Sequence, residues 1–93
     1  SGVTMLPLRR VYDAMQTPFV YRSVSKTVVA NTNQGQVQHV VGTNVVSVAG
    51  QMMPLQASSV ILNDTLYVPV DFVSTTTGRT VSWNNSTMDL MVE

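Results

Sequence analysis

Cysteine is absent from this chain. That excludes disulfides, thiolate nucleophiles and cysteine-held metals. It leaves the compartment open, since a chain without cysteine suits oxidising and reducing surroundings alike. Charge is scarce as well: 11% of the residues are Asp, Glu, Lys or Arg, against about a quarter in an ordinary domain. The formal net charge is 0, so the chain lacks the basic balance with which a nucleic-acid binder displaces counterions. Histidine occurs once, as His39. No apolar run reaches the roughly 18 residues of a membrane span, and no membrane insertion is expected. No signal peptide opens the sequence. Ser1-Gly2 reads as an appended dipeptide, with the natural start expected upstream.

What is present points to strands. A chain of 93 residues, 44% of them hydrophobic, makes one domain with one modest core. Valine is the commonest residue, and Val and Thr suit a pleated, half-buried surface. The polar surface must come from Ser, Thr, Asn and Gln, a composition closer to extracellular bacterial modules than to cytoplasmic ones. The few charges are split. In residues 1–26, Arg9, Arg10, Arg22 and Lys26 oppose only Asp13, a net +3, whereas in residues 60–93 Arg79 opposes Asp64, Asp71, Asp89 and Glu93, a net −3.

The stretch "LYVPVDFVSTTTGRTVSW" (66–83) sets the fold. Proline cannot sit inside a paired central strand but is welcome at the first position of a helix. Gly78 then falls where a left-handed residue would end a short helix. Strand 65–68, helix 69–77 and strand 80–84 follow, with Val70, Val73 and Thr77 on one helix face. Thr75-Thr76-Thr77 is a poor helix former, so packing must hold that helix. Near the N-terminus Pro7 opens a similar segment, in which Leu8, Val11, Tyr12 and Met15 form an amphipathic stripe. Pro18 closes it, and Phe19 and Tyr21 alternate along a strand.

Laid over each other at an offset of 62 residues, the two segments coincide without a gap. Pro7 meets Pro69, Val11 meets Val73, Phe19 meets Val81, Tyr21 meets Trp83, and Val28-Val29-Ala30 meets Leu90-Met91-Val92. The expected organisation is a single domain, 1–93, built from an internal repeat (3–31 and 65–93) joined by a β segment (32–64). Within that segment "QVQHVV" (36–41), "NVVSVA" (44–49) and "SVILN" (59–63) read as strands separated by Gly42-Thr43, Gly50-Gln51 and the Pro54 region. Asn63-Asp64 suits a tight hairpin; Gln34-Gly35 and Asn84-Asn85-Ser86 mark further turns. The predicted fold class is α+β, mostly antiparallel β, with about eight strands and two short helices in pseudo-duplicated strand-helix-strand-strand units.

These residues carry a resemblance. "ASSVILNDTLYVPVDFVSTTTGRTVSWNNSTMDLMVE" resembles the copper amine oxidase N-terminal, or stalk, domain. Asn63-Asp64 stands at that family's turn, Leu66 to Pro69 at its "LVP" element, and Phe72-Val73 at its "fv" pair. Gly78 matches its glycine, Val81 and Trp83 its "V.W", and Met88 to Val92 its closing strand. The N-terminal unit matches more loosely, with Leu6-Pro7-Leu8-Arg9 as "vPlR" and Tyr21 in place of the tryptophan. "VVGTNVVSVAG" resembles the family's "iGs..a.vnG". Asp71 stands where the family usually has arginine, and Thr75 to Thr77 replace its helix-favouring residues. The resemblance implies a non-catalytic stalk, spacer or interaction module of a secreted or cell-envelope protein of Gram-positive bacteria, often beside an enzyme. The alternative is a module that binds a cell-wall glycan or a protein ligand, a peptidase included.

The residues themselves describe no reaction. One histidine cannot enclose a transition metal, so no cofactor or copper is expected. A Ser–His–Asp triad would have to use His39, and no Gly-x-Ser-x-Gly elbow exists. Asp64, Asp71 and Asp89 read as turn, helix and strand residues, not as a catalytic carboxylate pair. His39, inside a strand, is expected to be solvent-facing or internally satisfied. Trp83 and Tyr21 read as core, with a sugar-stacking platform as the sharper alternative. Tyr67 is the better surface candidate, its plainer role being cross-strand packing. The first unit lacks a counterpart of strand 59–63. Its open edge is expected to take a neighbouring domain or a second copy, weakly oriented by the split charge.

Overall fold

The structure, a computed structural model, describes residues 3–84 and 89–92, with the backbone alone for 81–84 and 89–92. The elements run β1 (Met5–Pro7), α1 (Leu8–Ala14), β2 (Phe19–Arg22), β3 (Thr27–Thr32), β4 (Gly35–Val40), β5 (Val45–Val48), β6 (Gln51–Pro54), β7 (Val60–Leu62), β8 (Thr65–Pro69), α2 (Val70–Thr77), β9 (Val81–Asn84) and β10 (Asp89–Val92). The fold is α+β, with antiparallel sheets and two short helices. The order strand, helix, strand, strand occurs at 5–32 and again at 65–92.

Three sheets form. β2-β3-β4-β5-β6 is a five-stranded meander, β1-β8-β7 a three-stranded sheet, and β9-β10 a hairpin. The meander shows period-two burial: Val28 and Ala30 of β3 and Val37 and His39 of β4 point inward, while Gln36, Gln38 and Val40 point out. Leu6, Leu8, Val11, Tyr12, Phe72, Val73, Val46 and Val68 complete a core drawn from both helices and two of the sheets.

The prolines work differently from the sequence expectation. Pro7 and Pro69 are the last residues of their strands and the extended N-caps of the helices, not first helical residues. Each lacks an N–H, and φ near −65° continues equally into strand or helix. β1 can therefore pair right up to the point where α1 begins. Gly78 ends α2 with φ 72°, as a left-handed cap requires. The buried face of α2 is Phe72, Val73, Thr76 and Thr77; Val70, expected on that face, is only half-buried. The threonines are tolerated because their buried hydroxyls find partners, one within the helix and one across it. Thr77 Oγ1 donates to Val73 O at 2.7 Å, and Thr76 Oγ1 shares a hydrogen bond of 2.7 Å with Tyr12 Oη on α1.

Two hairpins turn on residues of positive φ. Asn63 and Asp64 have φ 51° and 63°, the type I′ geometry that matches strand twist, and close the pair Leu62–Thr65. Ala49 and Gly50, at 51° and 85°, close Val48–Gln51 between β5 and β6. β6 was not expected: Gly50-Gln51 was read as a break between strands, whereas the two-residue turn falls one position earlier, on Ala49 and Gly50, and alanine is a rare left-handed residue. The Pro54 region, expected as a break, is the end of that edge strand. The Asn84-Asn85-Ser86 turn lies, beyond Asn84, outside the described residues.

The β1–β8 register carries a symmetry. Met5, Leu6 and Pro7 face Pro69, Val68 and Tyr67. Leu6 and Val68 lie 62 positions apart, the offset at which the two segments overlay, and they sit directly opposite one another. The pairing thus relates β1 and the end of β8 by a local two-fold axis through that pair.

Tyr12 gives the fold an alkaline limit. Its ring is fully buried, and burial pushes the phenol up to about 12 against a lowering hydrogen bond from Thr76. An unfolded tyrosine ionises near 10. Stability from Tyr12 is therefore complete below about pH 10 and is lost as pH rises toward the folded value, by up to about 3 kcal/mol. Chemical denaturation across that range should show the fall, and Tyr12→Phe should flatten it.

Candidate functional site

His39, the single histidine of the chain, is buried at 2% exposure. Its Nδ1 lies 2.7 Å from Val45 O, and a carbonyl only accepts, so Nδ1 carries the proton. Nε2 then accepts from Ser59 Oγ at 2.6 Å, and that hydroxyl accepts the Gly42 N–H at 3.1 Å. The ring meets Phe72 edge-on, with centroids 5.1 Å apart. A serine, a histidine and an orienting acceptor are in line, the relay expected of a hydrolase. Ser59, however, is also only 2% exposed, and its lone pairs and proton are committed to Gly42 and His39. The group ties β4, the 41–44 turn, β5 and the 55–59 segment together. It answers the sequence expectation in its second form, a satisfied histidine.

Burial lowers the affinity of His39 for a second proton, against a smaller raising effect of the Val45 carbonyl. An unfolded histidine protonates near 6.5. The contribution is therefore full above that pH and declines as pH falls below it, with a slope of at most about 1.4 kcal/mol per unit. Urea midpoints measured from neutral pH downward should fall, and His39→Gln should remove that part of the slope.

The residues do not fit copper. Both nitrogens of the single histidine have protein partners, and no group of three His, Cys, Asp or Glu side chains clusters among the described residues.

A second feature lies where β1 turns into α1. An open groove of about 270 Å³ is lined by Arg9, Phe19, Tyr21, Ile61, Asp64, Thr65 and Leu66. β2 places Phe19 and Tyr21 on its inward face, two residues apart. The Arg9 guanidinium stands over the Phe19 ring, 4.8 Å from its centroid, and Tyr12 packs edge-on to the same ring at 5.8 Å. Among the described residues no carboxylate lies within salt-bridge distance of Arg9. The residue 62 positions on is Asp71, which behaves otherwise: its Oδ2 accepts the Gln56 N–H at 3.0 Å, while Oδ1 is buried without a partner.

Strand parity orients the groove's backbone. Leu62 and Thr65 close a two-residue hairpin, so Thr65 and Tyr67 direct their peptide groups at β7. Leu66 must then direct its N–H to the other side, where β1 has ended. The bond from Val70 N–H to Thr4 O, 2.9 Å, fixes the same alternation from the β1 side.

The sequence-derived candidates lie elsewhere. Tyr67 is half-buried in the middle of the three-stranded sheet, opposite Pro7 and Val60. The backbone of Trp83 lies in β9 opposite Leu90; its side chain lies outside the described residues. Tyr21, read as core, lines the groove, and Arg9, Phe19 and Ile61 were not singled out. No spacing set Arg9 apart as a ligand-facing cation, since Asp13 follows it at i+4 on the same helix.

The fold and these sites define a small α+β module in which the histidine is spent on structure. The chain belongs to the copper amine oxidase N-terminal domain family, whose pattern it matches over residues 1–92. That membership is consistent with a non-catalytic module. No curated protein matches the chain.

Proposed function

We propose that the chain is a non-catalytic stalk or spacer of an extracellular or cell-envelope bacterial protein, and that it engages a neighbouring domain or a second copy through the edge of β1. The observation that carries this reading is the sheet order β1-β8-β7. β8 holds β7 on its outer side. Its counterpart β1 has no strand on the corresponding side among the described residues. Parity sends the N–H of Met5 outward from β8, available to an incoming strand. The charge-poor, Thr- and Asn-rich surface supports the extracellular setting.

Sedimentation at low and high salt tests the edge. Weak association, near the millimolar range that corresponds to about −4 kcal/mol, is expected at low salt and should weaken as salt screens the split charge. Met5→Pro removes the outward N–H without touching the bonds to β8 and should abolish it. A strict monomer at low ionic strength would remove self-association and leave the neighbouring domain. Extending the chain upstream should then raise the melting temperature; no rise would end the edge reading.

A further inference from the structure

We propose that the groove between α1, β2 and the β7–β8 hairpin captures the C-terminal residue of a peptide, with the carboxylate on Arg9 and the Leu66 N–H and the last side chain on the apolar floor. Nothing in the stalk reading requires this site, and either can fail alone.

Three observations select that ligand. The first is charge. Arg9 projects a guanidinium over Phe19 with no described carboxylate within salt-bridge distance, Asp64 lining the same groove without pairing to it. A guanidinium presents a planar fork of donors that matches a carboxylate. Its contact with the Phe19 ring limits its freedom before the ligand arrives. The second is the backbone. The Leu66 N–H faces the side where β1 has given way to α1, adding a donor in the manner of sites that capture peptide termini. The third is the wall. Phe19, Tyr21, Ile61 and Leu66 present carbon, and about 270 Å³ admits one side chain with its peptide group.

The same observations disfavour a sugar. The ring on which a pyranose would stack is already covered by Arg9 and flanked by Tyr12. Apolar walls would also leave buried hydroxyls without partners, which costs free energy. Asp64, at the groove's rim, sets a limit on charge: one carboxylate is accepted, and a second would meet repulsion. The divergence from Asp71 is consistent with this assignment. At that equivalent position the side chain anchors a loop, whereas Arg9 anchors none.

The test is a nitrogen–proton NMR titration of the whole chain, with acetyl-Ala-Phe, its C-terminal amide, and glucuronic acid as probes. The free acid should give saturable shifts at the Tyr21 and Leu66 amides with a millimolar dissociation constant. The amide should bind at least about tenfold more weakly, as loss of one charged, forked contact implies. Arg9→Gln should cause a similar loss, with Arg9→Lys between the two, and Asp64→Asn should tighten binding two- to threefold, a gain of roughly half a kcal/mol. Melting curves show whether Arg9→Gln folds; should it not, Arg9→Lys and the salt dependence of wild-type binding decide the same question. Absent saturation by the free acid, equal binding of acid and amide, or tighter binding of glucuronic acid would each overturn the proposal.

Discussion

Phe72→Ala should bring the domain close to unfolding. Phe72 is fully buried on α2, and its ring meets Tyr12 at 6.3 Å and His39 at 5.1 Å. With Phe19 against Tyr12, these rings form one chain from β2 through α1 and α2 to β4. Aromatics make up only 6% of the sequence, so this chain is much of its large-ring core. Deleting a buried phenyl costs about 3–5 kcal/mol in transfer and cavity terms, against a total of roughly 5–15 kcal/mol for a small domain. Denaturant titration should show a midpoint near zero or no transition. Phe72→Leu, which keeps most of the volume, should lose about 1.5 kcal/mol or less. A Phe72→Ala protein with an unchanged midpoint would show that the ring chain contributes little.

His39→Ala should be the second most damaging substitution, at roughly 2–4 kcal/mol. It removes the ring against Phe72, takes from the Val45 carbonyl the shorter of its two hydrogen bonds, and strips the Ser59 hydroxyl of its acceptor. A solvent-facing histidine would cost within about 0.5 kcal/mol on the same change, so the measurement separates the two expectations read from the sequence. Because His39 and Phe72 touch, their combined loss should fall short of the sum, by an interaction energy of about 0.5 kcal/mol or more.

Much of the architecture was legible because local chemistry and global fold agree. Pro69, Gly78 and Asn63-Asp64 each demand a particular backbone conformation, and the chain adopts it at those places. The helix stripe at Leu8, Val11 and Tyr12 was legible because period and burial coincide. β6 escaped because its turn uses Ala49 at positive φ, a conformation held by neighbours: Ala49 N–H bonds to Gln36 O at 2.9 Å, and Gly35 lies against it with no room for a Cβ. The α2 face was misjudged because Thr76 reads as polar, yet it is buried once Tyr12 meets its hydroxyl. The groove was least legible. Its walls come from residues 9–21 and 61–66, brought together only by the β1–β8 pairing, and no spacing in the sequence encodes that meeting.

That pairing also has a kinetic consequence. The meander from β2 to β6 consists of neighbours joined by short turns and can form early, whereas β1 must close a loop of some sixty residues to reach β8. Contacts of such separation form late, because the chain entropy of closure must be met first. Until β1 arrives, the inner edge of β8 stays open to the same strand from another molecule. An exchanged dimer then satisfies every bond of the monomer, since the strand and its seat are unchanged. Refolding at high protein concentration should yield such a dimer, persisting on dilution because its release requires unfolding, while refolding at low concentration should return the monomer.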